Sequence, residues 1–135
     1  MSKKLMSPEA HHEEVVKGLY EQMKPVFDSS EQPIFLYLDD NHKACNSKFA
    51  KMLGFKSPQE WAETPSVLGV SVAEKSRETL ETAYWDAMKK KTASTTQITW
   101  MKKGGGTFDS TVVLVPMFFD GHLFSVHFVT SAGNK

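Results

Sequence analysis

The last third of the chain contains three long runs of strand-forming residues separated by two short turns. The runs are TQITWM, FDSTVVLVPMFF and HLFSVHFVT, and the connections between them are KKGGG and DG. Glycine-rich connections and Asp-Gly pairs favour tight hairpins. This order predicts three consecutive antiparallel strands, and it restricts the fold more than any other feature of the sequence.

The last of these strands is apolar on both faces. Successive side chains of a strand alternate in direction, so Phe124, Val126 and Phe128 point one way while His127 and Val129 point the other. A sheet that is apolar on both faces has to be covered on both sides. We therefore expect helices on one face, and either another helix or a second subunit on the other.

Residues 8–28 predict an amphipathic helix that begins with a Ser7-Pro8 cap. Pro25 predicts that this helix stops or kinks near its end. Its apolar stripe must cover an apolar surface in its own chain or in another. We expect residues 1–30 to act as a dimer contact or as a cover for the sheet. The candidate dimer-contact residues are Val16, Leu19, Tyr20, Met23 and Phe27.

The segment between this helix and the three long strands has the pattern of two short strands followed by several helices. The apolar run IFLYL ends in Asp-Asp-Asn-His, which is turn chemistry, and a short strand near His42 then leads to Asn46. Asn46 is placed to cap a short helix that Gly54 ends. Capping boxes are predicted at Ser57 and again at Ser71 with Glu74, where the longest central helix begins.

Together these elements give an α+β order that resembles the PAS domain over residues 31–131. The stretch FLYLDDNHKACN resembles the first hairpin of that family, and NSKFAKMLGF is similar to its Asn-x-x-Phe…Leu-Gly-Tyr stretch, with Phe55 where tyrosine is common. SPQEW resembles the start of the next helix in that family, and KKGGGTF resembles the turn before its penultimate strand. The resemblance implies a five-stranded antiparallel sheet that forms a cup with short helices on one face, flanked by residues 1–30 and a tail at 132–135.

The resemblance implies a sensory or signalling function, because PAS domains bind small ligands in the cup or pair with other proteins through the sheet. Usually they are not enzymes. We therefore expect a stand-alone module that acts through homodimerisation or a signalling partner. The alternatives are a ligand-free interaction domain with a filled core and a pocket enzyme of the isomerase or dehydratase type. In that enzyme Asp39, Asp40 or His127 would be the general base.

Aromatic and soft side chains are the candidate walls of the cup, and they suit a hydrophobic or planar ligand. The alternative interpretation is that the same side chains simply fill the core. The candidate wall residues are Phe35, Tyr37, Asn46, Phe49, Met52, Trp61, Tyr84, Trp100 and Phe124.

The residues that the cofactor-binding branches of the family require are missing. The photosensory flavin branch needs a cysteine within an Asn-Cys-Arg-Phe-Leu-Gln stretch, whereas Cys45 precedes Asn46, so we do not expect a flavin photoadduct. The haem branch usually supplies a histidine from the long helix, and residues 72–91 contain none. His42 and His127 are the remaining candidates for haem, which we likewise do not expect.

No metal site is expected from the other histidines. Neighbouring helical positions diverge by about 100 degrees, which separates His11 from His12. The spacing of His122 and His127 places them on opposite faces of one strand.

Charge and composition exclude several partners. Lysine plus arginine and aspartate plus glutamate each number 16, so no net charge favours nucleic acid. A single cysteine fits a reducing compartment, and no segment approaches the roughly 18 apolar residues that span a bilayer. We expect a soluble, cytoplasmic protein.

Overall fold

The computed structural model describes residues 8–131, with side chains from 11 to 130. The proposed cap Ser7 and the tail at 132–135 lie outside the described residues. The helices are α1 (Pro8–Ser29), α2 (Ser47–Met52), α3 (Pro58–Ala62), α4 (Val67–Ser71) and α5 (Glu74–Lys90). The strands are β1 (Ile34–Asp39), β2 (His42–Cys45), β3 (Ser94–Met101), β4 (Thr107–Phe119) and β5 (His122–Ser131).

The five strands form one antiparallel sheet in the order β2-β1-β5-β4-β3. This confirms the predicted α+β class and the predicted five-stranded sheet. The β4–β5 connection is a tight turn because Asp120 and Gly121 both have positive φ, 50° and 78°. Two successive positive φ values match the right-handed twist of a hairpin, which is why Asp-Gly is favoured there.

The helix ends predicted at Asn46, Gly54 and Ser57 are confirmed. The Asn46 side chain accepts a hydrogen bond from the Phe49 amide at 3.0 Å, and Gly54 has a φ of 85° just beyond the helix. Ser57 likewise accepts from the Glu60 amide at 3.1 Å. These bonds satisfy amides that have no partner within the first helical turn.

The predicted capping box at Ser71 is wrong. Ser71 is the last residue of α4, and its hydroxyl accepts a hydrogen bond from the Trp61 indole at 3.2 Å. Helix α5 begins after Ala73, which makes no side-chain capping bond. The serine that does cap a helix here is Ser66, whose hydroxyl accepts from the Gly69 amide at 3.0 Å.

Helix α1 covers one face of the sheet, which we call the outer face. It continues through Pro25 to Ser29, so the proline does not end it. Its buried residues pack with buried side chains of β1 and β5. The buried residues of this outer core are Val15, Val16, Leu19, Phe27, Ile34, Leu36, Phe124 and Val126.

This packing corrects the dimer-contact prediction. Val16, Leu19 and Phe27 are buried against the sheet of their own chain, so in this arrangement they offer no surface to a partner. Tyr20 and Met23 are only partly buried. Two roles were expected for this segment, a dimer contact or a cover for the sheet. In the structure, α1 covers the sheet.

The opposite, inner face of the sheet packs against helices α2 to α5. The fully buried side chains of this core include Phe35, Phe49, Trp61 and Trp100. The ring of Phe49 lies edge-on to both tryptophans, with centroid separations of 5.0 and 5.5 Å. Such edge-to-face contacts fix the rings more specifically than burial alone. The concave face of the sheet and the helices around it define the cup.

Candidate functional site

A cavity of about 180 Å³ lies in the cup, between the inner face of β1 and β5 and the helices α4 and α5. Its lining combines apolar and aromatic side chains with two carboxylates and one imidazole. The residues that line it are Phe35, Tyr37, Asp40, Val67, Leu68, Leu80, Glu81, Tyr84, Trp85 and His127.

The floor of the cavity is built from residues that face each other across two strands. Phe35 pairs with His127, and Tyr37 pairs with Ser125, in the antiparallel register of β1 and β5. Residues directly opposite in such a register present their side chains on the same face. The imidazole of His127 accordingly stacks on the Phe35 ring, with centroids 4.0 Å apart and planes 9° from parallel.

His127 is the most perturbed ionisable group of the cavity. Burial lowers the pKa of its imidazole to about 3, because the charged form would lose its hydration, and nearby carbonyls of Ser125 and Phe35 offset only part of this. The side chain is therefore neutral near pH 7. A base this weak is a poor proton acceptor, which disfavours the predicted general-base role for His127.

Two buried polar atoms on this face of β5 have no partner among the described residues. Nδ1 of His127 and Oγ of Ser125 are both buried without a hydrogen bond of normal geometry. Buried polar groups are nearly always hydrogen-bonded, so these two atoms call for a partner such as a water molecule or a ligand.

The wall of the cavity is formed by aromatic residues of α5. Tyr84 lies edge-on to Tyr37, with ring centroids 5.5 Å apart, and also contacts Trp85 at 5.1 Å. Burial, with the nearby acidic side chains, raises the pKa of both tyrosines, so their hydroxyls stay protonated. Trp85 is 58% exposed and forms the outer edge of the cavity.

Asp40 closes the rim of the cavity. Its carboxylate accepts a hydrogen bond from the Val67 amide at 2.9 Å, which joins the β1–β2 turn to the start of α4. Lys43 donates to the Asp40 carbonyl and, at 2.6 Å, to the Thr64 carbonyl. These bonds give Asp40 a structural role.

Three of the nine predicted wall residues line the cavity: Phe35, Tyr37 and Tyr84. Phe49, Trp61 and Trp100 instead fill the core behind it, and Met52 packs at its edge. Both tryptophan indoles donate to serine hydroxyls, at 3.2 and 2.6 Å, so neither has a free donor for a ligand.

Two of the nine lie elsewhere. Asn46 uses its side chain for backbone hydrogen bonds and does not line the cavity. Phe124 is buried in the outer core beneath α1, so its assignment to the pocket wall is wrong. The alternation along β5 places Phe124 opposite His127, but it does not indicate which of the two faces lines the cup.

The cavity residues that the sequence analysis did not select come mostly from α4 and α5. They include Val67, Leu68, Leu80 and Trp85. An apolar pattern identifies such positions as buried or helical, but it does not indicate which helix face meets the sheet. Trp85 carries no signal of its own in the sequence, because its 58% exposure is seen only in the structure and single exposed apolar side chains are common.

Cys45 lies outside the cavity lining, in the buried core under α2. Burial raises the pKa of its thiol to about 12, so the thiol stays protonated and unreactive at neutral pH. This agrees with its interpretation as a small packing residue.

A second depression of about 290 Å³ lies between α1, β2 and α3. Its walls include the charged residues Glu13, Lys17 and Lys43 beside Tyr20 and Cys45. The described residues of this groove supply no aromatic stack comparable to that of the cup. We therefore take the smaller cavity as the candidate ligand site.

Comparison with known proteins identifies the fold. A PAS domain from a Colwellia psychrerythraea protein superimposes with a TM-score of 0.70 at 13% identity, covering 87% of this chain and 99% of that one. A PAS domain of a two-component sensor histidine kinase gives 0.64 at 14% identity, with 85% and 97% covered. The Rhodobacter sphaeroides LOV protein gives 0.69 at 15% identity, with 88% and 69% covered.

No family model matches the sequence of this chain, and neither does any curated protein. The structural likeness, at these low identities, shows the fold alone. The chain has the PAS fold, as its local motifs predicted. Within residues 8–131, no helix combines the length and the apolarity needed to cross a bilayer.

Proposed function

We propose that this chain is a sensory module that binds a small molecule with one aromatic ring in the cavity of the cup. The observation that carries the proposal is the stacked, neutral imidazole of His127, whose buried Nδ1 has no partner among the described residues. A ligand that donates a hydrogen bond to this imidazole would satisfy it. The Phe35 and Tyr84 rings would enclose the apolar part of that ligand.

The volume of the cavity limits the size of the ligand that fits in it. An apolar cavity of about 150 Å³ in a protein accommodates a benzene molecule. The 180 Å³ available here therefore fits one ring with a small polar substituent. A flavin or a haem is several times larger than benzene, and the cavity in this form holds neither.

The position of the cavity supports a role in signalling. It touches both the sheet and α5, and Trp85 at its edge is exposed, so an occupied cavity changes a surface that a partner can contact. PAS domains of sensor proteins share the fold. We propose that output passes to a partner protein or to a second copy of the chain.

The first experiment is native mass spectrometry of freshly purified protein, with an absorption spectrum of the same sample. Extra mass beyond the 15.2 kDa chain identifies a retained ligand. A ligand-free sample is then titrated with phenol and with toluene, which differ mainly in the hydroxyl donor. Trp85 fluorescence should report binding, because Trp85 lines the cavity whereas Trp61 and Trp100 do not. Trp85→Phe checks that assignment.

We expect phenol to bind about five- to tenfold more tightly than toluene, since one hydrogen bond contributes about 1 kcal/mol. His127→Phe should remove this preference. Leu68→Phe should fill the cavity and abolish both signals, whereas Val70→Phe, on the same short helix but outside the lining, should retain them. Equal binding by the Leu68 and Val70 variants would contradict the proposal, as would the absence of any bound or titratable ring compound.

A further inference from the structure

Four of the five histidines of the sequence meet at one place on the outer side of the molecule. His11 and His12 come from the start of α1, His42 from β2 and His122 from the first position of β5. The ring centroids are 5.1 to 5.3 Å apart in three neighbouring pairs and 6.2 Å apart in the pair of His11 and His12. We call this group, together with Asp39, the histidine cluster.

A carboxylate lies within the histidine cluster. Oδ1 of Asp39 is 2.6 Å from Nδ1 of His42, and Oδ2 of Asp39 is 3.9 Å from Nδ1 of His12. One potential ligand atom from each of His12, Asp39 and His42 can be chosen so that all lie within 4.8 Å of one another. His42 is buried, whereas His12 and Asp39 are partly exposed, which leaves a route of entry from solvent.

These separations are close to those of imidazoles that share one metal ion. Zinc binds histidine nitrogen at about 2.0–2.1 Å in tetrahedral geometry, which places two ligand nitrogens about 3.4 Å apart and their ring centres about 5 Å apart. Nε2 of His11 is 3.2 Å from Nε2 of His122. A simple hydrogen bond accounts for that pair, but it leaves unexplained why His12 lies edge-on to both His42 and His122.

We infer that the histidine cluster is a binding site for a divalent transition-metal ion of the zinc class. His12, Asp39 and His42 are the ligands, since these three residues have ligand atoms that converge. Imidazole and carboxylate together suit zinc, nickel or copper rather than calcium or magnesium. His122 lies beside His12 but outside this group of three, and its Nε2 is 3.2 Å from Nε2 of His11.

The metal ion would connect α1 to the sheet. Its ligands come from α1 and from both strands of the first hairpin, which are adjacent only in the folded protein. An ion bound there therefore stabilises the position of the first turns of α1 on the outer face. The site shares no residue with the lining of the cup's cavity.

The test uses the full chain, stripped with a chelator, dialysed, and titrated with zinc sulfate alone by calorimetry. We expect saturable binding of one ion per chain. Zinc at about 100 times its dissociation constant should raise Tm by roughly 10 °C, because the ion binds only the folded arrangement. Cobalt(II) gives a second readout, since its visible absorption is intense in a tetrahedral site.

The His12→Gln variant should weaken zinc binding at least tenfold and reduce the cobalt absorption. Its matched control is Glu14→Gln, an exposed position on the same helix outside the histidine cluster, which should bind as the wild type does. Asp39→Asn serves as a second ligand variant. Wild-type binding that is no tighter than that of His12→Gln would overturn the inference, and so would a normal Tm shift in both ligand variants.

Discussion

Asn46 and His127 are both buried polar residues, but their hydrogen bonding differs completely. The Asn46 side chain accepts from the amides of Ile34 and Phe49 at 3.1 and 3.0 Å, and it donates to the Gln32 carbonyl at 3.0 Å. It thus joins α2 to the start of β1. His127 has a buried nitrogen with no partner among the described residues. Several hydrogen bonds to the backbone, as Asn46 makes, are typical of a structural residue. The buried nitrogen of His127 is instead a polar atom that a bound molecule can satisfy.

The pKa of His127 predicts a specific dependence of stability on pH. The imidazole has a pKa of about 3 in the folded protein and an ordinary value of 6.5 when unfolded. Between these values the unfolded chain binds a proton that the folded chain does not. Stability is therefore complete above pH 6.5 and falls as the pH decreases toward 3, by roughly 1 kcal/mol per pH unit from this residue.

Urea unfolding at pH 7, 6, 5 and 4 measures this dependence, with His127→Gln as the comparison. The glutamine does not titrate, so the free energy of unfolding of the variant should fall less steeply below pH 6.5. Parallel pH profiles for the two proteins would show that His127 is accessible to protons in the folded state, which contradicts its burial.

At the scale of elements, the short helices of the cup and helix α1 are stabilised differently. Helices α2, α3 and α4 have only five or six residues each, well below the length at which an isolated helix is stable. Each begins with a polar cap and buries an apolar residue. Helix α1 has 22 residues and depends on its apolar stripe. A single substitution in this stripe therefore tests directly how α1 is held on the sheet.

Leu19→Ala should weaken the docking of α1. Leu19 is 3% exposed and packs in the outer core, so truncating it should cost about 2–5 kcal/mol of unfolding free energy. Glu21→Ala, an exposed position on the same helix, should change the stability by less than about 0.5 kcal/mol. Hydrogen exchange then shows where the loss occurs: amides of α1 should exchange faster, while those of β5 should change little. Equal effects of the two substitutions would show that α1 is not held by this stripe.

At the scale of the whole molecule, the sheet is covered on both faces within one chain. Helix α1 covers the outer face and helices α2 to α5 cover the inner face. A homodimer through an uncovered sheet is therefore not needed to bury apolar surface. The edge of the apolar stripe of α1 is still accessible to a partner. At this edge Tyr20 and Met23 are partly buried and Val26 is 50% exposed.

We expect the protein to form a dimer through this edge of α1, visible by sedimentation velocity at micromolar concentration. Val26→Asp should shift the protein to a monomer, because a carboxylate in an apolar contact loses its hydration without a partner. Thr82→Asp, exposed on α5, should leave the dimer intact. A monomeric wild type, or a dimer unaffected by Val26→Asp, would contradict the expectation.

Local sequence patterns were enough to predict most of the elements and their order. Turn residues such as Asp120-Gly121, caps such as Asn46, and the two-residue alternation of β5 act over a few neighbouring positions, so they can be recognised without the fold. They were sufficient for the five-stranded sheet, for placing Phe124 and His127 on opposite faces of β5, and for the resemblance to the PAS fold that the comparisons confirmed.

The meeting of residues that are distant in the sequence is seen only in the folded chain. The cavity joins β1, β5 and α5, and the histidine cluster joins α1, β2 and β5, positions separated by up to 111 residues along the chain. Considered within one element, His11 and His12 diverge and His122 stands alone, which is why the sequence predicted no metal site. Such contacts depend on the register and packing of several elements at once, and no local pattern records them.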